Sequence, residues 1–297
     1  TVLIGTIFNI ALDPLFIFVF QMGVAGAAIA TVISQFFSCA FAFCFLLFSK
    51  RVAVRISLGN YSLPLMGKIL SIGFSPFLIL ASDSLLLIAT NTVLHTYGGS
   101  QGDMLITTAT IVQSYMMLIT SPMLGISGGT QAIISFNYGA ADTKRVRQTE
   151  KCVLLLCLAF TTVMFFATRL LPGVFIRLFT TNPEISRLSI WGIGVYTMMI
   201  IPLSFQYILV DGLTAMERTK TALYLSIFRK TLYILLVFLL PQITREASNV
   251  FFAEPIADLI SSVQSTILFL LIFKKHMQRR EKQVELLHAM HQKGCAS

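Results

Sequence analysis

Long runs of apolar residues fill most of the chain, and the charged residues fall between them. A membrane-spanning helix needs about 20 mostly apolar residues, and residues 23–49 and 104–141 contain no charge at all. The runs are continuous and do not alternate with polar residues, which indicates helices and not a membrane β-barrel. Eight stretches of suitable length occur, approximately 1–20, 24–48, 69–94, 104–137, 152–178, 188–213, 222–243 and 250–273.

The fourth stretch is longer than one span requires, and Gly125, Gly128 and Gly129 interrupt it. We interpret it as one bent helix with an irregular centre. Membrane depth tolerates such a backbone only where it faces protein or a cavity.

Composition supports the same class of protein. Of 297 residues, 56% are hydrophobic and 12% are charged, and the mean hydropathy is +0.80. The charged fraction is about half that of an average soluble domain, which excludes a soluble globular enzyme. The net charge of +9 comes from short basic runs between apolar stretches, so it favours a topological role over nucleic-acid binding. We predict an all-α polytopic membrane protein in contact with the lipid bilayer.

Lysine and arginine predict the orientation of the spans. Residues 49–68, 138–151, 214–230 and 274–297 together hold 18 of the 22 basic residues. Basic loops remain on the cytoplasmic side of a membrane. We therefore expect a bacterial-type plasma-membrane protein whose basic connections and C-terminus lie in the cytoplasm. The tail at 278–292 suits either an amphipathic helix or, as we favour, a solvated segment.

The first and last hairpins resemble each other at an offset of 227 residues, which separates Pro14 from Pro241. At that offset the segment 29–31 (IAT) matches 256–258 (IAD). Parallel repeats of this kind build transporters from two similar lobes around a central site. We therefore divide the chain into a first-lobe hairpin (1–50), a cytoplasmic linker (51–68), a six-helix second lobe (69–275) and a cytoplasmic tail (276–297). The chain then holds the last two helices of one lobe and all six of the other, and we expect it to be a fragment.

Asp13 is the most informative acidic residue. Asn9 lies four residues before it and shares its helix face, and Pro14 releases the carbonyl group of Ile10 from helical bonding. Thr31 returns to a similar depth on the next stretch. These oxygen atoms suit Na⁺, whereas the carboxylate could instead carry a proton. The alternative is a structural aspartate at a proline kink near the membrane surface.

Three further carboxylates are candidates in the second lobe. Asp83 lies 14 residues into its span, about 21 Å at 1.5 Å per residue, which is too deep for an interfacial role. Glu254 and Asp258 share a face around Pro255. Two such carboxylates would not both remain ionised unaided, so they are either proton carriers or a pair with a basic partner. Asp211 lies nearer the cytoplasmic end, and we interpret it as structural.

Several segments resemble the multidrug and toxic compound extrusion (MATE) family. They are NIALDPLFIF…GVAGAAIATVISQ (9–35), SPMLGISGGTQAIISFNYGAADTKRVRQ (121–148), TKTALYLSIFRK (219–230) and FFAEPIADLISS (251–262). The resemblance covers nearly the whole chain. It implies helices five to twelve of a twelve-helix, two-lobe transporter, with the first four helices of the same protein absent from this chain.

The resemblance also implies a function. Family members are cation-coupled antiporters that use Na⁺ or H⁺ to export organic, often cationic, drug-like compounds, and they need no cofactor. Asn9, Asp13 and Thr31 match three positions of the first-lobe cation site, whose fourth ligand is an aspartate on helix one. Asp83 matches the acidic residue that other members carry on helix seven, and their helix-ten aspartate falls near Gln206.

Two other function classes are less consistent with the sequence. A lipid-linked oligosaccharide flippase of related architecture needs a cationic central cavity, yet lysine and arginine are scarce in the spans. A membrane-embedded enzyme or assembly subunit needs a cluster of catalytic side chains, and the four histidines lie in loops or the tail. We therefore expect a transporter and not an enzyme.

Overall fold

The computed structural model describes residues 2–48 and 62–294, and every regular element in them is helical. Leu15–Val19 forms a π-helical turn after the first helix. The α-helices are α1 (Val2–Pro14), α2 (Gly23–Phe48), α3 (Leu63–Gly98), α4 (Gly102–Gly139), α5 (Thr143–Leu170), α6 (Pro172–Ile176), α7 (Pro183–Tyr196), α8 (Ile200–Ala215), α9 (Thr219–Thr244) and α10 (Ala253–Gly294).

The chain forms two compact units, Thr1–Lys68 and Ile69–Ser297. The first consists mainly of the α1–α2 hairpin, and the second contains α4 to α10 with most of α3. The boundary falls where the predicted linker ends, although residues 51–61 of that linker lie outside the described residues. No helix break marks the predicted start of the tail, because α10 continues through it to Gly294.

A stripe of small residues lets the two helices of the first unit approach closely. Gly26, Ala30 and Ser34 are the buried residues of α2, and their spacing of four places them on one face. A Cβ atom on Gly26 would lie 2.8 Å from the carbonyl oxygen of Phe16. The two helices therefore approach closely at this crossing, because no larger side chain fits at Gly26.

The internal similarity has a structural counterpart in α10. At the offset of 227 residues, the stripe on α2 corresponds to Ala253, Ala257 and Ser261. These three residues are also buried, with exposures of 0%, 1% and 0%. Both hairpins therefore carry a buried stripe of small residues, as expected for helices that associate without a hydrophobic driving force in lipid.

Two predicted stretches differ from the structure in their continuity. The stretch 104–137 has no irregular centre, because α4 is helical from Gly102 to Gly139. Glycine costs about 1 kcal/mol in a helix interior, and burial of neighbours such as Met123 and Ser127 offsets that cost. The stretch 188–213 is not one helix, because α7 and α8 meet at an angle of 53°.

The number of membrane spans depends on how such breaks are counted. In the described residues, five helices are long and apolar enough to cross a membrane, or six if the bent pair α7–α8 is one span. Phe77–Gly139 counts as one apolar stretch although it includes both α3 and α4, and Leu3–Val19 is shorter than a full span. The expectation of eight spans therefore stays a prediction.

The Gly26 crossing can be tested by replacing it with alanine. We expect Gly26→Ala to destabilise the protein by about 1–3 kcal/mol, because backbone must move to admit the methyl group. Gly125→Ala is the matched control, since a Cβ atom there meets nothing within 4 Å and should be neutral or slightly stabilising. Thermal unfolding of the detergent-purified variants would measure both, and equal stability would contradict the close packing.

Candidate functional site

Three polar side chains of the first unit meet between α1 and α2. The Asn9 amide nitrogen Nδ2 donates to Asp13 Oδ1 at 3.2 Å and to Thr31 Oγ1 at 3.4 Å. The Thr31 hydroxyl donates in turn to the carbonyl oxygen of Ala27 at 2.9 Å. The structure thus brings together Asn9, Asp13 and Thr31, the three residues that the sequence analysis selected. Asn9 and Thr31 are 22 residues apart in the chain.

The backbone beside this cluster leaves the regular α-helix directly after Pro14. The following residues, Leu15–Val19, form a π-helical turn, and π-helical turns occur frequently at functional sites. Proline has no N–H group and cannot complete the regular pattern. The irregular backbone thus begins one residue after Pro14, and the release of the Ile10 carbonyl group stays a prediction.

The oxygen atoms of this cluster are suitable ligands for a small hard cation. Asp13 supplies carboxylate oxygens and Thr31 supplies a hydroxyl oxygen, both preferred by hard cations. A half-turn of the Asn9 amide would exchange Nδ2 for Oδ1 and add a third oxygen. Asn9 and Asp13 are half-buried and Thr31 is exposed, so the cluster is open to a ligand on one side of the unit.

The second unit contains a polar cavity of about 450 Å³. Its walls come from α3, α4, α7, α8, α9 and α10. Four charged side chains line it, together with hydroxyl groups and the flexible Met116 and Met117. The lining residues are Asp83, Leu86, Leu87, Thr90, Gln113, Met116, Met117, Thr120, Tyr196, Tyr207, Arg229, Lys230, Tyr233 and Glu254.

Arg229 is the central residue of the charged network. Its guanidinium Nη2 donates to Glu254 at 2.5 Å, and its Nε donates to Asp258 at 2.7 Å. All three side chains are at most 15% exposed. Glu254 and Asp258 were expected to be either proton carriers or a pair with a basic partner, and the geometry supplies such a partner in Arg229. The Oδ2 atom of Asp258 is buried and has no hydrogen-bond partner in the described part of the chain.

Asp83 forms the second ion pair of the cavity. Lys230 Nζ lies 2.7 Å from Asp83 Oδ1, and it also donates to the carbonyl oxygen of Ile79. The Lys230 side chain is 9% exposed, whereas that of Asp83 is 57% exposed within this chain. Asp83 therefore faces open space from a position deep in a predicted span, with a buried cation behind it.

Three hydroxyl groups form a hydrogen-bonded chain along the cavity wall. The Tyr233 hydroxyl lies 3.1 Å from Thr90 Oγ1 and 2.9 Å from the hydroxyl of Tyr196. Each of these residues is buried. Gln206, the position expected for a helix-ten aspartate, takes no part: its amide bonds with Ser265 and with the carbonyl oxygen of Leu225.

The sequence analysis missed Arg229 and Lys230 as site residues because it counted them in the connection 214–230. The structure begins α9 at Thr219 and places both residues near the middle of this helix, which ends at Thr244. The sequence did contain an indication of their role, because Arg229 and Lys230 also lie inside the apolar stretch 222–243. Basic residues within such a stretch are costly unless they pair with acids, and the sequence contains three acids in predicted spans that could pair with them, Asp83, Glu254 and Asp258.

Comparison with known families and proteins places these sites in context. Residues 80–239 match the family model described as MatE. The multidrug export protein MepA of Staphylococcus aureus strain MSSA476 is 24% identical over 233 residues, 78% of this chain and 51% of MepA. MepA of Staphylococcus haemolyticus strain JCSC1435 is 25% identical over 235 residues. The chain spans about half the length of these curated relatives.

Solved structures show the same fold. A crystal structure of MATE in complex with MaL6 superposes with a TM-score of 0.81 at 20% identity, over 93% of this chain and 62% of that chain. An inward-facing multidrug resistance MATE family transporter gives a TM-score of 0.77 at 20% identity, over 93% and 64%. The all-helical fold class is thereby confirmed.

The charged network predicts a large effect at Arg229. We expect Arg229→Met to destabilise the protein by about 3–5 kcal/mol, because two buried carboxylates lose their cation. The double variant Arg229→Met/Asp258→Asn should recover part of this loss, since it removes one orphaned charge. Arg177→Met, at an exposed position, is the control. Thermal unfolding of the purified variants measures all three, and an Arg229→Met protein as stable as the control would refute the network.

Proposed function

Because the chain belongs to the MatE family, we propose that the complete protein is a cation-coupled antiporter that exports organic, often cationic compounds. The family consists of transporters and not of enzymes. The carrying observation is the convergence of Asn9, Asp13 and Thr31 beside the turn at Pro14. A carboxylate held there among uncharged donors is a site for Na⁺ or H⁺, and its occupancy can bias alternating access.

The coupling cation would be held by Asp13 with Thr31 and the Asn9 amide oxygen. Among the described residues, no lysine or arginine forms an ion pair with Asp13, so its charge is available to a bound cation. Three side chains supply only part of a coordination shell. We propose that a further ligand completes the shell, namely the aspartate that family members carry on helix one.

The cavity of the second unit supports an organic substrate. Tyr196, Tyr207 and the two methionines offer apolar and polarizable contacts that adapt to different shapes, and the partly exposed carboxyl group of Asp83 adds a polar contact. The name of the MepA relatives, multidrug export protein, agrees with such a substrate range.

We place the protein in the plasma membrane as a multi-pass protein with its C-terminus in the cytoplasm.

The charge balance of this cavity argues against the flippase alternative. A cavity for an anionic lipid-linked headgroup requires an excess of positive charge. Here Arg229 and Lys230 are each already paired with a carboxylate, and Arg229 is paired with two. The basic groups therefore balance the acids of the cavity, which leaves no surplus cation for an anionic headgroup.

The proposal predicts the effect of neutralising Asp13 in the complete protein. We expect Asp13→Asn to lower cation-driven efflux about tenfold or more, within the range of typical coupling energies, while membrane insertion is unchanged. Dye efflux from cells, with Na⁺ and pH gradients imposed separately, measures the loss and identifies the coupling cation. Asp103→Asn, at an exposed aspartate in the first turn of α4, is the matched control. Unchanged efflux in the Asp13 variant would refute the assignment.

A further inference from the structure

Glu150 is a buried acid that neither the trio of the first unit nor the cavity explains. It lies in the second turn of α5, within a connection that the sequence analysis placed in the cytoplasm, and it is only 7% exposed. Neither of its carboxyl oxygens has a hydrogen-bond partner in the described part of the chain. A buried carboxyl group without partners is far more costly when ionised than when neutral.

The space for this side chain is provided by a glycine on the neighbouring helix. A Cβ atom on Gly212 of α8 would lie 2.8 Å from the carboxyl carbon of Glu150 and would overlap one of its oxygens. The carboxyl group of Glu150 therefore contacts the α8 backbone directly at Gly212. We call this space the seat of Glu150, and the side chain of any other residue at position 212 would fill it.

A second carboxyl group lies beside this seat. Asp211 immediately precedes Gly212, and its Oδ2 accepts a hydrogen bond from Ser127 Oγ of α4 at 2.6 Å. Asp211 and Glu150 thus meet where α4, α5 and α8 pack together. Two carboxyl groups in such a low-dielectric junction cannot both ionise without compensation.

The surrounding basic groups do not supply that compensation. Arg147 and Lys151 of α5 and Lys274 of α10 line the same groove as Glu150, but all three are exposed, and none forms a salt bridge with it among the described residues. The α4 segment 104–139 contains no charged residue. On α8, the acidic neighbour is Asp211 itself.

We propose that Glu150 and Asp211 form a proton-binding site between α5 and α8, in which Glu150 carries the proton. We assign a proton as the ligand because both carboxyl oxygens of Glu150 are buried without a hydrogen-bond partner among the described residues, and burial of this kind favours the neutral acid. Release of this proton would place a second negative charge at the three-helix junction and weaken the packing of α5 on α8. The site is separate from the Asp13 cluster, and its test requires no transport activity.

Infrared difference spectroscopy of the purified complete protein tests the proposal. At neutral pH, the spectrum of the wild type minus that of Glu150→Gln should contain the C=O stretching band of a protonated carboxyl group, which shifts in D₂O. Glu184→Gln, at an exposed glutamate in the first turn of α7, is the matched control and should lose only carboxylate bands. Loss of only carboxylate bands from Glu150→Gln would overturn the proposal.

A second variant tests the seat while it retains the acid. Gly212→Ala should push the Glu150 carboxyl group toward Arg147 and Lys151 and abolish the protonated band, whereas Gly125→Ala should leave that band intact. Persistence of the band in Gly212→Ala would contradict the site geometry. A band that disappears when Na⁺ replaces K⁺ at constant pH would assign the site to a metal ion and also overturn the proposal.

Discussion

The cost of burying charge in an apolar helical bundle is the constraint on which the second unit depends. Arg229 meets that constraint by binding Glu254 and Asp258 at once. Its contacts join α9 to α10 beside the buried small residues Ala253, Ala257 and Ser261. The polar cavity exists because this compensation lets charged groups remain inside the bundle, where an isolated ion of either sign would be expelled or neutralised.

The protein handles its acids in three different ways, and each way suggests a different use. Glu254, Asp258 and Asp83 are paired with cations, so they maintain a polar wall with a fixed charge balance. Asp13 has neutral amide and hydroxyl neighbours and is partly open, which suits reversible binding of a cation. Glu150 is buried with no partner in the described residues, which suits a bound proton.

Backbone features support these side chains in both units. The π-helical turn after Pro14 widens the helix next to Asp13, and Gly212 opens the seat for Glu150. Gly26 and the stripe that follows it on α2 allow the hairpin to close, so that Thr31 reaches Asn9 across 22 residues of sequence. In each case the absence of a backbone donor or of a Cβ atom determines where a polar group can lie.

The sequence by itself determined the class of protein, the all-helical fold and the cluster of Asn9, Asp13 and Thr31. These follow from local quantities: the length of apolar runs, the spacing of four residues on a helix, and the fixed geometry of proline. The tertiary structure decided which partners the remaining acids have. Lys230 and Gly212 lie on helices distant in sequence from Asp83 and Glu150, their respective neighbours, and composition cannot indicate which helix faces pack together. Continuity of α4 and the bend between α7 and α8 were likewise decided by packing, because the local cost of a glycine is small compared with the burial around it.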